Sequence, residues 1–107
     1  MSDAVRRLYE AVLDRRGKDP TTSKTAKLFA AGRSKMAQKV GEEAVEVAID
    51  AAKDNRSAVI AESADLIYHL VVLWAEMAIK PNDIWAEMLR REKSLGIAEK
   101  LPKEAAA

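Results

Sequence analysis

Val40-Gly41-Glu42-Glu43-Ala44-Val45-Glu46-Val47-Ala48-Ile49-Asp50-Ala51 reads first of all as a helix. Met36, Val40, Ala44, Val47 and Ala51 recur at intervals of three and four, the spacing at which side chains share one helical face. The same interval joins Glu43 to Glu46, with Glu42 beside them. A second acidic pair, Glu62 and Asp65, lies among Ile60, Ala61, Ala64, Leu66 and Ile67, in the most apolar helix of the chain. If the two helices pack side by side, four carboxylates meet in one small space. Like charges that close repel unless something positive sits among them, and the usual solution is a hard divalent cation with oxygen ligands, Mg²⁺ above all. Glu and Lys are good helix formers, so an acidic block is most often a solvated face, or one paired with Lys or Arg across a helix interface. Acids set in an apolar helix are rarely left unpaired, and this second pair shifts the balance toward a metal site.

Working outward, the rest of the chain also reads as helical, with four glycines, three prolines and few β-branched runs to suggest strands. A first helix is expected over about Asp3 to Arg16, with Val5, Leu8, Val12 and Leu13 on one stripe and Gly17 and Pro20 closing it. Thr22 to Lys24 reads as a loop and cap before a short helix near Thr25 to Ala31, and Gly32 marks a break. The long acidic helix runs about Ser34 to Lys53. Asp54-Asn55 is the turn, with Asn55 or Ser57 as the next cap. The following helix runs about Ala58 to Ile79, apolar on several faces and so expected to be central or in a subunit interface. Pro81 fits the first turn of a last helix that ends before Gly96. The tail from Leu101 is expected to fray. The expected fold is all-α, a bundle of four to five helices completed by dimerisation, in a single domain over residues 1–107.

Composition removes several classes of function. The 18 basic residues balance 17 acidic ones, so no global field draws the chain to nucleic acid or membrane. The absence of cysteine excludes disulfides, thiolate metal sites and a cysteine nucleophile. No apolar leader follows Met1, and the apolar stretch around Leu66 to Ile79, interrupted by His69 and Glu76, reads as too short to cross a bilayer. A cytoplasmic location is expected.

The single histidine, His69, follows Asp65 by one helical turn and reads as a buried or supporting residue rather than a ligand, because four oxygens already suit a hard cation. Lys39 precedes Glu43 by four residues: it either forms an intrahelical salt bridge or faces phosphate oxygens beside the metal. Arg33 and Lys35 lie just upstream of it. Trp74 and Trp85 read as core or interface residues. Arg90, Arg91 and Lys93 form a basic cluster late in the last helix, where cations suit the helix dipole. No phosphate-cradling glycine-rich loop is present.

The acidic blocks have the E-E-x-x-E and E-x-x-D pattern of the all-α nucleoside triphosphate pyrophosphohydrolases. Gln38-Lys39-Val40-Gly41-Glu42-Glu43-Ala44, Ala64-Asp65-Leu66-Ile67-Tyr68-His69-Leu70, and Arg90-Arg91-Glu92 leading to Gly96-Ile97-Ala98-Glu99-Lys100 closely resemble the phosphoribosyl-ATP pyrophosphohydrolases of histidine biosynthesis, over about Pro20 to Lys100. The resemblance implies Mg²⁺-dependent cleavage of phosphoribosyl-ATP between its α- and β-phosphates, to phosphoribosyl-AMP and pyrophosphate. It implies metal ligation by Glu43, Glu46, Glu62 and Asp65, with Glu42 completing the catalytic acids. Lys39 is the first choice for a phosphate contact, with Ser23, Thr25, Arg33 and Lys35 as further substrate-binding candidates. It also implies a homodimer or larger homo-oligomer. Two departures stand out: Ser23-Lys24-Thr25 where the family carries Ser-Tyr-Thr, and Leu95-Gly96 where it favours Ser-Gly. Lys24 bears on substrate affinity, since a cation there can reach a phosphate. Two alternatives remain: a house-cleaning, MazG-like pyrophosphohydrolase of ordinary triphosphates, and a non-catalytic helical interaction module.

Overall fold

The computed structural model describes residues 3–95. It contains α1 (Asp3–Arg15), α2 (Lys24–Ala31), α3 (Arg33–Ala52), α4 (Arg56–Glu76) and α5 (Pro81–Leu95). Among the described residues there is no strand, and the all-α expectation holds. The expected frayed tail from Leu101, and the Gly96 to Lys100 segment, lie outside them.

The breaks between helices follow from local chemistry. Ser23 caps α2, its hydroxyl accepting from the Ala26 N–H at 3.1 Å. Gly32, at φ +101°, ends α2 and opens α3, a left-handed conformation that a side chain would strain. Asn55 serves two helices at once. Its N–H donates back to the Asp50 carbonyl at 3.0 Å, closing α3, and its Oδ1 accepts from the Ala58 N–H at 3.2 Å, opening α4. Helix α4 stops at Glu76, three residues short of the expected Ile79. Ala78 turns left-handed at φ +56°, and the Ile79 N–H returns to the Trp74 carbonyl at 2.9 Å, the 6→1 closure of a Schellman motif.

Joined by the short Asp54-Asn55 turn, α3 and α4 form an antiparallel hairpin and the most extensively packed helix pair of the fold. The core lies at one end of it. Val12, Leu28, Met36, Val71, Val72 and Ala75 form the buried cluster, flanked by Val5, Leu8, Tyr9, Phe29, Tyr68, Leu73 and Trp74. Leu13, expected on the same stripe as Val12, faces solvent. Arg16 clamps this end: its guanidinium donates to the Ala75 carbonyl at 2.6 Å and lies 4.8 Å over the Phe29 ring.

Elsewhere the hairpin leaves large apolar side chains exposed. Val45 and Ile49, one turn apart on α3, are 57% and 47% exposed, and Ile60 and Ile67, two turns apart on α4, 61% and 43%. Coverage fails toward the α3–α4 turn, whereas Val71 and Val72, farther along α4, are fully buried. Helix α5 packs chiefly on α1 rather than on the hairpin. The radius of gyration, 15.5 Å, exceeds the roughly 13 Å of a compact chain of about this length.

The Leu66 to Ile79 stretch lies largely within a longer apolar helix: α4, at 21 residues, is long and apolar enough to cross a bilayer by length and composition alone, a test that the core helix of a soluble protein also passes. Its mid-helix Glu62 and Asp65 turn toward acids on α3, and ionisable residues in such a position are costly in hydrocarbon.

Candidate metal centre

The two helices of the hairpin carry the same spacing in opposite directions. On α3 it is Met36, Lys39, Glu43 and Glu46; on α4 it is Val72, His69, Asp65 and Glu62. Steps of three, four and three keep each set on one face. Met36 and Val72 end their stripes in the apolar core. From that anchor, antiparallel pairing carries both stripes into charged residues, so the core that holds the hairpin together also brings its acids together.

Carboxylate oxygens of Glu43, Glu62 and Asp65 all lie within 4.8 Å of one another. Glu46 joins them through Glu62. The Glu62 carboxyl is pushed up to about 7 from its ordinary 4.5, first by sharing a proton with Glu46, then by burial, then by Glu43. Sharing a proton is how adjacent carboxylates relieve their repulsion when no cation lies between them. Glu43 is itself only 9% exposed. One oxygen of Glu43 (Oε2) and one of Glu62 (Oε2) are buried with no hydrogen-bond partner, which is costly unless a positive group engages them. Asp65 and Glu46 remain exposed, so the cluster opens to solvent on one side.

The donor set fits a hard cation: every atom offered is a carboxylate oxygen, two are buried and bare, and nothing soft is near. Glu43, Glu62 and Asp65 are placed to hold it, with Glu46 adjoining. Cationic side chains flank the acids on α3. Lys39 Nζ is 3.8 Å from Glu43 Oε1 and 3.4 Å from Glu42 Oε1, so the expected salt bridge forms and is shared. Glu42 itself does not enter the cluster. It is exposed, accepts from Gln38 at 2.8 Å, and is held below the usual carboxylate range by Gln38 and then Lys39.

The remaining expected residues divide. Lys35 is exposed, near enough to act on the Glu42 charge. Arg33 is not brought to the acids; it pairs with Glu76 at 3.6 Å, at the opposite end of the hairpin. Ser23 is occupied as the α2 cap. Thr25 Oγ1 shares a hydrogen bond with the Tyr68 hydroxyl at 2.5 Å, tying α2 to α4 one residue from His69. Lys24 follows that cap, lining a shallow cavity of about 600 Å³ with Pro20, Thr21, Thr22, Ser23 and Lys27.

The burial of His69 agrees with its reading from sequence, but its partner on α3, and the partner of the Arg90 and Arg91 pair on α5, were not foreseen. His69 is buried and lies against Glu43 across the helix pair, Nε2 to Oε1 3.9 Å. Burial, ahead of any charge effect, lowers its affinity for a second proton. Its place on the Asp65 face was readable, but the partner on α3 was not. The basic cluster of α5 is not free. Glu87 accepts from Arg90 at 2.6 and 2.9 Å and from Arg91 at 3.0 Å, and Arg90 then Arg91 hold its carboxyl down to about 2. The intervals of three and four from Glu87 were the available signal.

Comparison with known proteins bears directly on these acids. A family model described as phosphoribosyl-ATP pyrophosphohydrolase matches residues 5–92. Phosphoribosyl-ATP pyrophosphatase 2 of Rhodopseudomonas palustris is 62% identical over 103 residues, covering 96% of this chain and 79% of its own length. A protein of the same name from Bradyrhizobium diazoefficiens is 60% identical over 105 residues, 98% of this chain and 78% of its own. Phosphoribosyl-ATP pyrophosphatase of Gluconobacter oxydans is 53% identical over 102 residues, 94% and 77% respectively. The matched span contains α3 and α4 whole, and with them every member of the acidic cluster.

Proposed function

The chain belongs to the phosphoribosyl-ATP pyrophosphohydrolase family, and from that premise we propose that it hydrolyses phosphoribosyl-ATP to phosphoribosyl-AMP and pyrophosphate, the second step of histidine biosynthesis, with Mg²⁺ held by Glu43, Glu46, Glu62 and Asp65. The observation that carries the metal assignment is the pair of bare, buried carboxylate oxygens on Glu43 and Glu62, set among acids that must otherwise share protons. When bound, the cation neutralises charge on the triphosphate oxygens and favours the departure of pyrophosphate.

The protein's own groups do the rest. Water adds across the α–β anhydride: its oxygen joins phosphorus, the bridging bond breaks toward pyrophosphate, and its proton passes to a base. Glu42, kept ionised beside Gln38 and Lys39, is the carboxylate left free of the cation to orient that water. Lys39, between Glu42 and Glu43, is placed to contact a phosphate oxygen, with Lys35 beyond it on the same helix. Lys24, Ser23 and Thr25 are further substrate-binding candidates, a reading supported by the Thr25 hydrogen bond to Tyr68, which ties α2 to α4 beside His69.

A second copy of the chain completes the fold. Val45, Ile49, Ile60 and Ile67 occupy the hairpin arm that carries the acids and are left exposed in one subunit, and large bare apolar faces mark association surfaces. On this reading the enzyme is a homodimer that acts on a small-molecule substrate in the cytoplasm.

Pyrophosphate release from phosphoribosyl-ATP, ATP and dNTPs, with Mg²⁺ and with EDTA, tests the reading. Metal-dependent preference for phosphoribosyl-ATP is expected. Preference for ordinary triphosphates would move the chain to the house-cleaning branch, and release from none would refute catalysis.

A further inference from the structure

His69 is the most buried polar residue described, 5% exposed, and the proposed chemistry leaves it without a task. It sits one turn from Asp65 on the α4 face turned to α3, with the Tyr68 ring edge-on at 4.9 Å and 73°. Its Nε2 points at Glu43 Oε1, 3.9 Å away, while its Nδ1 is buried with no partner. Lys39 approaches the same Oε1 from within α3, at 3.8 Å. The two oxygens of Glu43 therefore have opposite surroundings: Oε1 is flanked by two nitrogen donors, and Oε2 is buried and bare.

We propose that His69 is a positioning residue for the metal centre: its Nε2 backs Glu43 Oε1 across 3.9 Å, longer than a hydrogen bond but close enough to draw that oxygen toward the imidazole, so that Oε2 is presented to the cation. This inference rests on the metal-centre reading above. A carboxylate on a long, rotatable side chain is an imprecise ligand until its second oxygen is held, and donors behind ligands govern metal affinity for that reason. Lys39 alone is a poor anchor, because its ammonium is divided between Glu42 and Glu43. An imidazole packed in the helix interface has no such freedom. The neutral ring satisfies the geometry in one tautomer only, with the proton on Nε2.

Two substitutions separate this role from simple packing. His69→Gln keeps an amide nitrogen at about the reach of Nε2; His69→Asn keeps the polarity but falls short of Glu43. Mn²⁺ binding, followed by the loss of the free-ion EPR signal, should be within about threefold of wild type in H69Q. In H69N it should be about 10- to 100-fold weaker, the range typical of lost support behind a ligand. Equal affinities in the two variants would overturn the proposal while leaving the metal centre standing. Failure of the wild-type protein to bind Mn²⁺ would overturn both. A second readout needs no metal: the chain has one histidine, so ¹⁵N NMR of the metal-free protein reports its tautomer without ambiguity. Protonation on Nε2 is expected, and protonation on Nδ1 would refute the contact.

Discussion

Raising the pH from 6 to 8 should tighten Mg²⁺ binding about tenfold, and Glu62 should be the reason. Its carboxyl is displaced to about 7 by Glu46, burial and Glu43, so the proton it retains competes with the cation for the same oxygens. About one-tenth of Glu62 is ionised at pH 6 and about nine-tenths at pH 8. Apparent affinity scales with that fraction, which sets the rise at about tenfold. Isothermal titration calorimetry at pH 6, 7 and 8 reads it directly, and proton release should be largest at the acid end. Glu62→Gln should bind more weakly and lose most of the pH dependence. The metal-free protein should show the matching stability trend. Between the ordinary 4.5 and about 7 the folded chain binds more protons at Glu62 than the unfolded chain does, so this group's contribution falls as pH rises through that window. Thermal unfolding in EDTA should thus show a smaller decline from pH 5 to 8 in the Gln variant. A wild-type affinity flat from pH 6 to 8, or a tenfold rise that survives in Glu62→Gln, would refute the crowding argument.

Three further outcomes are expected. Glu46→Gln should abolish Mg²⁺-dependent pyrophosphate release while circular dichroism shows an unchanged fold; near-normal turnover would remove Glu46 from the metal ligands. Met36→Ala empties a site 1% exposed at the heart of the core and should cost about 2–5 kcal/mol in urea unfolding, with a loss under about 1 kcal/mol contradicting the packing described. Ile60→Glu places a charge on a residue 61% exposed in one subunit. It should convert a dimer to monomer by sedimentation velocity, and a wild-type monomer would refute the completing role given to a second copy.

Much of this protein is legible from its sequence because helices are governed by short-range rules. The period of 3.6 residues per turn puts Glu43 with Glu46, and Glu62 with Asp65, wherever the helices lie. Caps are local too, so Asn55 and the break at Gly32 could be read from residue type alone. The end of α4 was less accessible, since Ala78 carries no chemical signature of the left-handed turn it makes.

What sequence spacing does not contain is the register of one helix against another. That was decided by the Asp54-Asn55 turn and by the fit of Met36, Val71 and Val72 in a common core. Sliding α4 by one turn would leave each helix's own pattern intact and separate His69 from Glu43. Only the packed hairpin turns Glu43 inward and its neighbour Glu42 outward to Lys39 and Gln38. The spacing determined which acids share a face of each helix. The tertiary structure decided which of them meet, because burial of the apolar end of each stripe sets the distance at which the charged ends face one another.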